Sequence, residues 1–291
     1  MDTVALRAGD DVVPKEGLFK RSQHTNRSRV VDMIGRLHAD IFFQDRYMLN
    51  KVNVKIKLVR SKDVFCVMSD ADCRVMITKA AMFVRKVKLS PSVFLAHAKA
   101  LESGTAKCPI RRVVLYKTFT VPTGLRDISH EKLFSGQLPT RVVVGLVSNE
   151  AFNGHRERNL FNFRHFSAAE ISLYLDGPQQ YGIKLMELNY ADSHYIRAYN
   201  TLFSGTGKIC RDEGIAIDRN DYANGYALYT FDLTANLGDE ENFNLMRQGS
   251  VRLVLKFSQA LATTVTVVVY AEFENVIEID GNRNVIYDFG A

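Results

Sequence analysis

The stretch Ser250–Asp280, SVRLVLKFSQALATTVTVVVYAEFENVIEID, constrains the fold of this chain more than any other. Val251, Leu253, Leu255 and Phe257 alternate with Arg252 and Lys256. After a short loop, Val265, Val267, Val269, Ala271 and Phe273 alternate with Thr266, Tyr270, Glu272 and Glu274. A period of two sends successive side chains to opposite faces, so each run reads as a strand with one face on a core and one toward water. The β-branched and aromatic content agrees. Nothing in the stretch resembles a reaction centre; its signal is architectural.

The rest of the chain repeats that signal in shorter pieces. Val52, Val54, Ile56 and Leu58 alternate with Asn53, Lys55 and Lys57, which predicts a strand with a basic outer face. A second strand is expected over about Thr78–Leu89. Ser90-Pro91 then places a helix N-cap before a proline at the first helical position, and Gly104 lies where that helix should stop. Strands are expected from Ile110 to Val121, over Arg141–Val147, over Ala169–Leu175 and over Tyr226–Leu233. The Arg141–Val147 run is nearly continuous, as in a strand covered on both faces. Asp192 is placed to cap a helix carrying Tyr195, Tyr199, Leu202 and Phe203 and ending at Gly205. Asn153-Gly154 is a turn. Val30–Asn50 fits strand and helix equally well. Many short strands, few helices and Gly/Pro punctuation predict an all-β sandwich.

Composition narrows the class. The 46 % hydrophobic and 24 % charged fractions suit a soluble globular protein. No run approaches the ~20 apolar residues of a membrane span. The first thirty residues lack an apolar signal core, so secretion is not expected and Asn26-Arg27-Ser28 is read as a chance sequon. Cys66, Cys73, Cys108 and Cys210 are too few and too scattered for a disulfide scaffold, and read as reduced thiols of a cytosolic or nuclear protein. Residues 1–29 read as a mobile basic tail. The net charge of +6 concentrates between Arg46 and Arg112, whereas acidic residues such as Asp212, Glu213, Asp239, Glu240 and Glu241 gather after Tyr181. That basic half suggests nucleic-acid contact, but a solvated sheet face or complementary patches between subunits explain it better, because no nucleic-acid-binding motif accompanies the charge.

No catalytic, cofactor-binding or metal-ligating residue stands out. Ser204-Gly205-Thr206-Gly207-Lys208 resembles a phosphate loop, but Leu202 stands where the first glycine belongs and Ile209 where Ser or Thr belongs. It reads as a helix C-terminal turn. The seven histidines form no HxH or HExxH pair. Asp192-Ser193-His194 holds triad residue types, but sequence neighbours do not converge on one point. The residues singled out for contact, with a neighbouring subunit or nucleic acid, are Lys51, Lys55, Lys57 and Arg60.

A family resemblance emerges at the C-terminal block. Tyr229-Thr230-Phe231-Asp232-Leu233, Asn242-Phe243-Asn244, Gly249, Val251-Arg252-Leu253 and Val267–Ile279 occur in an order similar to the end of double-jelly-roll major capsid proteins of large eukaryotic DNA viruses. Residues 30–50, 84–102, 134–154, 202–208 and 224–234 resemble hexon-like proteins of Maverick/Polinton transposable elements and their adenovirus-like animal relatives. The resemblance implies an all-β fold built from jelly-roll sandwiches, with Val52–Arg60 and Thr78–Leu89 as the last strands of a first jelly roll. The helix over 91–102 bridges to a complete second jelly roll. It implies three parts: a basic tail over 1–29, a first-jelly-roll remnant with its bridging helix over 30–105, and the second jelly roll over 106–291. Relatives carry a longer N-terminal part, so the chain is expected to be truncated relative to the family. The implied function is structural and not enzymatic: a capsid subunit forming homotrimers and then a lattice, with loops 148–167 and 177–192 at the trimer contacts. It implies no cofactor, a penton-like minor capsid partner, non-specific DNA contact and a place in the virion, or inside the cell if unassembled. In a jelly roll the last two strands lie in opposite sheets, so Ser258–Thr264 should cross the sandwich, and Arg252/Lys256 should not pair with Glu272/Glu274. The alternatives are a nucleic-acid-binding sandwich using the basic half, or a ligand-binding or enzymatic sandwich.

Overall fold

The computed structural model describes residues 16–67, 72–176, 182–209, 215–234 and 247–287. In chain order the elements are α1 (Glu16–Thr25), α2 (Asp63–Cys66), α3 (Pro91–Ser103), β1 (Ala106–Val121), β2 (Asp127–Gln137) and β3 (Arg141–Ser148). Then follow α4 (Asn149–Asn153), β4 (Phe163–Arg164), β5 (Ala168–Asp176), β6 (Gly182–Glu187), α5 (Ile196–Ser204) and α6 (Arg219–Ala223). The last are β7 (Asn224–Gly225), β8 (Leu228–Asp232), β9 (Gln248–Phe257), β10 (Val265–Ile279) and β11 (Val285–Tyr287). Cys210, the acidic residues at 212, 213 and 239–241, the Asn242–Asn244 segment and positions 177–181 fall outside the described residues.

Two antiparallel sheets make the sandwich. One runs β1-β10-β3-β8, with β11 added to the end of β10; the other runs β2-β9-β5-β6. Numbering the eight main strands in chain order, the sheets hold strands 1-8-3-6 and 2-7-4-5, which is the strand order of an eight-stranded jelly roll. The fold is therefore an all-β jelly-roll sandwich with short helices. β9 and β10 lie in different sheets, so the loop over 258–264 crosses the sandwich as expected. Val251, Leu253, Leu255 and Phe257 face Val265, Val267, Val269, Ala271 and Phe273 across one buried core. The outward charges find partners elsewhere: Lys256 Nζ meets Glu170 at 2.7 Å and Arg141 meets Glu272 at 2.9 Å.

Local detail follows from packing. The second half of β3 is covered on both faces because Phe163 lies over Gly145, where an added Cβ would stand 2.7 Å from that ring. Gly154 takes φ +98° in the expected turn. β1 is a sheet edge, and the Arg111 N–H points away from β10 and donates to Asp40 Oδ2 at 2.9 Å. Pro109 shares that outward parity, so its missing N–H costs the ladder nothing.

Several expectations are corrected. The stretches 52–60 and 78–89 form no strand: no backbone pairing is found for them among the described residues. A strand pattern becomes a strand only with a hydrogen-bonding partner, and neither stretch finds one within this fold. Part of the tail is helical, over Glu16–Thr25. Asp192 does not cap α5. Tyr195 occupies the N-cap, and Asp192 instead accepts from Asn189 Nδ2 at 2.7 Å within a turn. The helix ends at Ser204, with Gly205 N–H donating to the Thr201 carbonyl, so the phosphate-loop lookalike is a helix terminus.

Candidate assembly surface

The N-terminal segment touches the sandwich at its ends and is exposed between. Asp40 caps the β1 edge. Further on, α2 lies against the turn after α4, where an added Cβ on Gly154 would stand 3.4 Å from Val64 Cβ, and Arg156 pairs with Asp72. At the end of α3, the Leu101 carbonyl lies close to Gly281. Between these anchors run two arms, 51–62 and 74–90, that hold neither helix nor strand.

The arms combine two properties. They are basic: residues 51–62 hold five cations and 74–90 hold five, with no Asp or Glu in either. Across 30–101, thirteen cations oppose six acids for a net +7, whereas 102–291 carries nineteen cations and twenty-two acids for a net −3. They are also apolar and uncovered. Leu58 and Val59 are 78 % and 79 % exposed, and Phe83 is 90 % exposed. Adjacent positions expose large side chains in pairs: Leu58/Val59, Met76/Ile77 and Phe83/Val84. Each arm thus carries exposed apolar side chains beside its cations. A contiguous surface of this kind marks an interaction site.

The four residues singled out from the sequence all lie on the first arm and are exposed. They do not share a strand face, since no strand forms. Lys51, Lys55 and Lys57 have no acidic partner among the described residues. Arg60 is tied at 2.5 Å to Asp63, which also accepts the Val75 N–H at 2.9 Å. These contacts hold the Asp63 carboxyl below its ordinary range and link the two arms where the chain turns. The alternation of Val52–Leu58 predicts a face buried in this chain's own core, which is why sequence alone does not mark Leu58 as a surface residue.

Elsewhere the sandwich is filled. An aromatic stack runs from His165 through Tyr190 and Tyr195 to Tyr222, with ring centroids 3.9, 4.9 and 6.0 Å apart. Tyr190 and Tyr229 share a hydroxyl contact of 2.9 Å. Burial pushes the Tyr190 phenol up to about 12, while burial and Arg164 hold the His165 imidazole below its ordinary range. His165 Nδ1 accepts the Ser167 N–H at 2.9 Å and braces the two left-handed residues Phe166 and Ser167. Asn189, Asp192 and His194 form a turn, not a catalytic cluster. Among the described residues no group of three or more His, Cys, Asp or Glu side chains is placed to hold a metal, and no helix is long and apolar enough to cross a membrane.

No family model matches the chain. An uncharacterised Caenorhabditis elegans protein is 26 % identical over 263 residues, covering 87 % of this chain and 62 % of that protein. The chain thus spans less than two thirds of the length of this relative. Solved structures similar to it include the capsid of the virus PBCV-1, at 8 % identity and a TM-score of 0.39, matching 64 % of this chain and 52 % of that one. The mavirus major capsid protein matches at 11 % identity and a TM-score of 0.33, over 63 % of this chain and 41 % of that one. At such values the jelly-roll assignment rests on the strand order of the chain itself.

Proposed function

We propose that this chain is a structural subunit, a major-capsid-like protein of a virus-like element of the Maverick/Polinton kind, which acts by assembly and not by catalysis. The observation that carries the reading is the jelly-roll strand order of a sandwich with one continuous buried core, joined to basic, apolar arms that find no strand partner among the described residues. The arms supply the last strands of a first jelly roll, and copies of the subunit associate as trimers that tile a shell, with a penton-like protein at special positions and a place in the virion. The net +7 of residues 30–101 against the net −3 of the remainder favours contact between copies. The same cations favour a second reading, contact with packaged nucleic acid, in which Lys51, Lys55, Lys57 and Arg60 meet phosphates. Nucleic acid would satisfy those charges, but it would not bury Leu58, Val59 and Phe83 together.

Light scattering of the purified chain over a range of concentrations tests the reading. A mass rising from 32.9 kDa toward three times that value is expected. A strictly monomeric chain at the highest concentration, binding DNA with an affinity that falls steeply with salt, would favour the second reading.

A further inference from the structure

The two sheets end side by side at β6 and β8, and each leaves main-chain groups there with no strand partner among the described residues. Leu188 N–H donates to the Ala169 carbonyl at 2.8 Å, so even-numbered residues of β6 face β5, and Leu185 and Glu187 present theirs at the free edge. Leu233 N–H donates to the Thr140 carbonyl at 2.8 Å, which by the same parity leaves the groups of Thr230 and Asp232 at the free edge of β8. Between these edges, under α5, lies a cleft of about 260 Å³. Its wall is fixed by the end of the helix: a Cβ on Gly205 would stand 2.6 Å from Thr230 Cγ2.

Three features of the cleft point to a ligand. Thr230 is 1 % exposed, lines the cleft, and its hydroxyl has no hydrogen-bond partner among the described residues. A buried hydroxyl left unmatched costs about 1–3 kcal/mol, so such groups call for an explanation. Lys184 and Arg197 stand at the cleft with no carboxylate partner among the described residues. Asp232 also lines it, but its Oδ1 is engaged by the Thr234 N–H at 2.9 Å and hydroxyl at 2.6 Å, and the three charged side chains sum to +1. The volume lies below the ~300–1,000 Å³ of small-molecule pockets and suits one inserted side chain.

We propose that this cleft docks an extended acidic segment of a partner polypeptide, one carboxylate of which enters between Lys184 and Arg197 and meets the Thr230 hydroxyl. The free strand edges beside the cleft offer main-chain hydrogen bonds to the flanking backbone of that segment, as in strand addition. The inference does not depend on the capsid reading.

Fluorescence anisotropy of a labelled, end-blocked Val-Glu-Val-Glu-Val peptide on the full chain tests it, with unlabelled glutarate as competitor. Saturable binding is expected, weakened about tenfold or more (~1.4 kcal/mol per decade) by the Lys184→Ala/Arg197→Ala pair and by replacing both peptide glutamates with glutamine. Thr230→Val is expected to weaken binding and to raise the melting temperature, because it deletes an unmatched hydroxyl without changing shape. Four results would each overturn the proposal: no binding at millimolar peptide, equal binding of the glutamine peptide, glutarate competing as well as the unlabelled peptide, or a lower melting temperature for Thr230→Val.

Discussion

Replacing Leu253 by Ala is expected to remove about 3 kcal/mol of stability, the usual cost of truncating a fully buried leucine in a core that cannot collapse around the gap. Leu253 lies in the middle of β9, is fully buried, and pairs with His130 on one side and Leu173 on the other. Its face meets β10 across the sandwich, so the loss is felt by both sheets. In a domain of this size the melting midpoint should fall by about 6–12 °C. Chemical unfolding should show a lower midpoint with an unchanged slope. The control is Arg252→Ala, one residue away on the outer face. Arg252 lies 4.2 Å from the centre of the Tyr174 ring and 3.7 Å from Glu131, contacts worth about 1 kcal/mol or less at a surface. A larger effect for Arg252 than for Leu253 would mean that the faces of β9 are inverted.

Arg141→Ala is expected to cost a similar amount for a different reason. Arg141 begins β3 and Glu272 stands opposite it on β10; their side chains are 19 % and 15 % exposed and meet at 2.9 Å. Glu272 also accepts the Tyr270 hydroxyl at 2.7 Å, and burial together with that carboxylate raises the Tyr270 phenol. Removing the guanidinium strands a carboxylate that is largely out of water. Breaking a buried pair in this way costs about 3–5 kcal/mol, whereas replacing both members by apolar groups costs far less. The Arg141→Met/Glu272→Leu double variant should therefore be more stable than Arg141→Ala in denaturant unfolding. A double variant as unstable as the single one would show that the pair itself, and not the stranded charge, sets the cost.

The parts of this architecture that were legible in the sequence are those where one face of a strand meets the shared core. Val251–Phe257 and Val265–Phe273 alternate without interruption, and the family resemblance added that they belong to opposite sheets, as they do. Ser90-Pro91 opens α3 as expected because its signals are local. β2 was missed for a structural reason. Its pairing jumps from His130↔Leu253 to Phe134↔Val251, and Lys132 sits at φ +51°, so extra residues erase the alternation. The cleft beside Thr230 was invisible because it depends on a helix end meeting a strand edge, a juxtaposition that no local pattern encodes. The arms gave the opposite result: Val52–Leu58 has the pattern of a strand, but pairing is a property of two segments and no partner for it lies among the described residues.

Hydrogen exchange on the dilute and the concentrated chain tests assembly through the arms most directly. Amides of β9 and β10 should be protected at both concentrations. Those of 52–60 and 78–89 should exchange fast in the dilute chain and slow by orders of magnitude as the mass rises, because their backbone finds no strand partner among the described residues of its own chain. Arms that exchange equally fast while the mass triples would contradict the account.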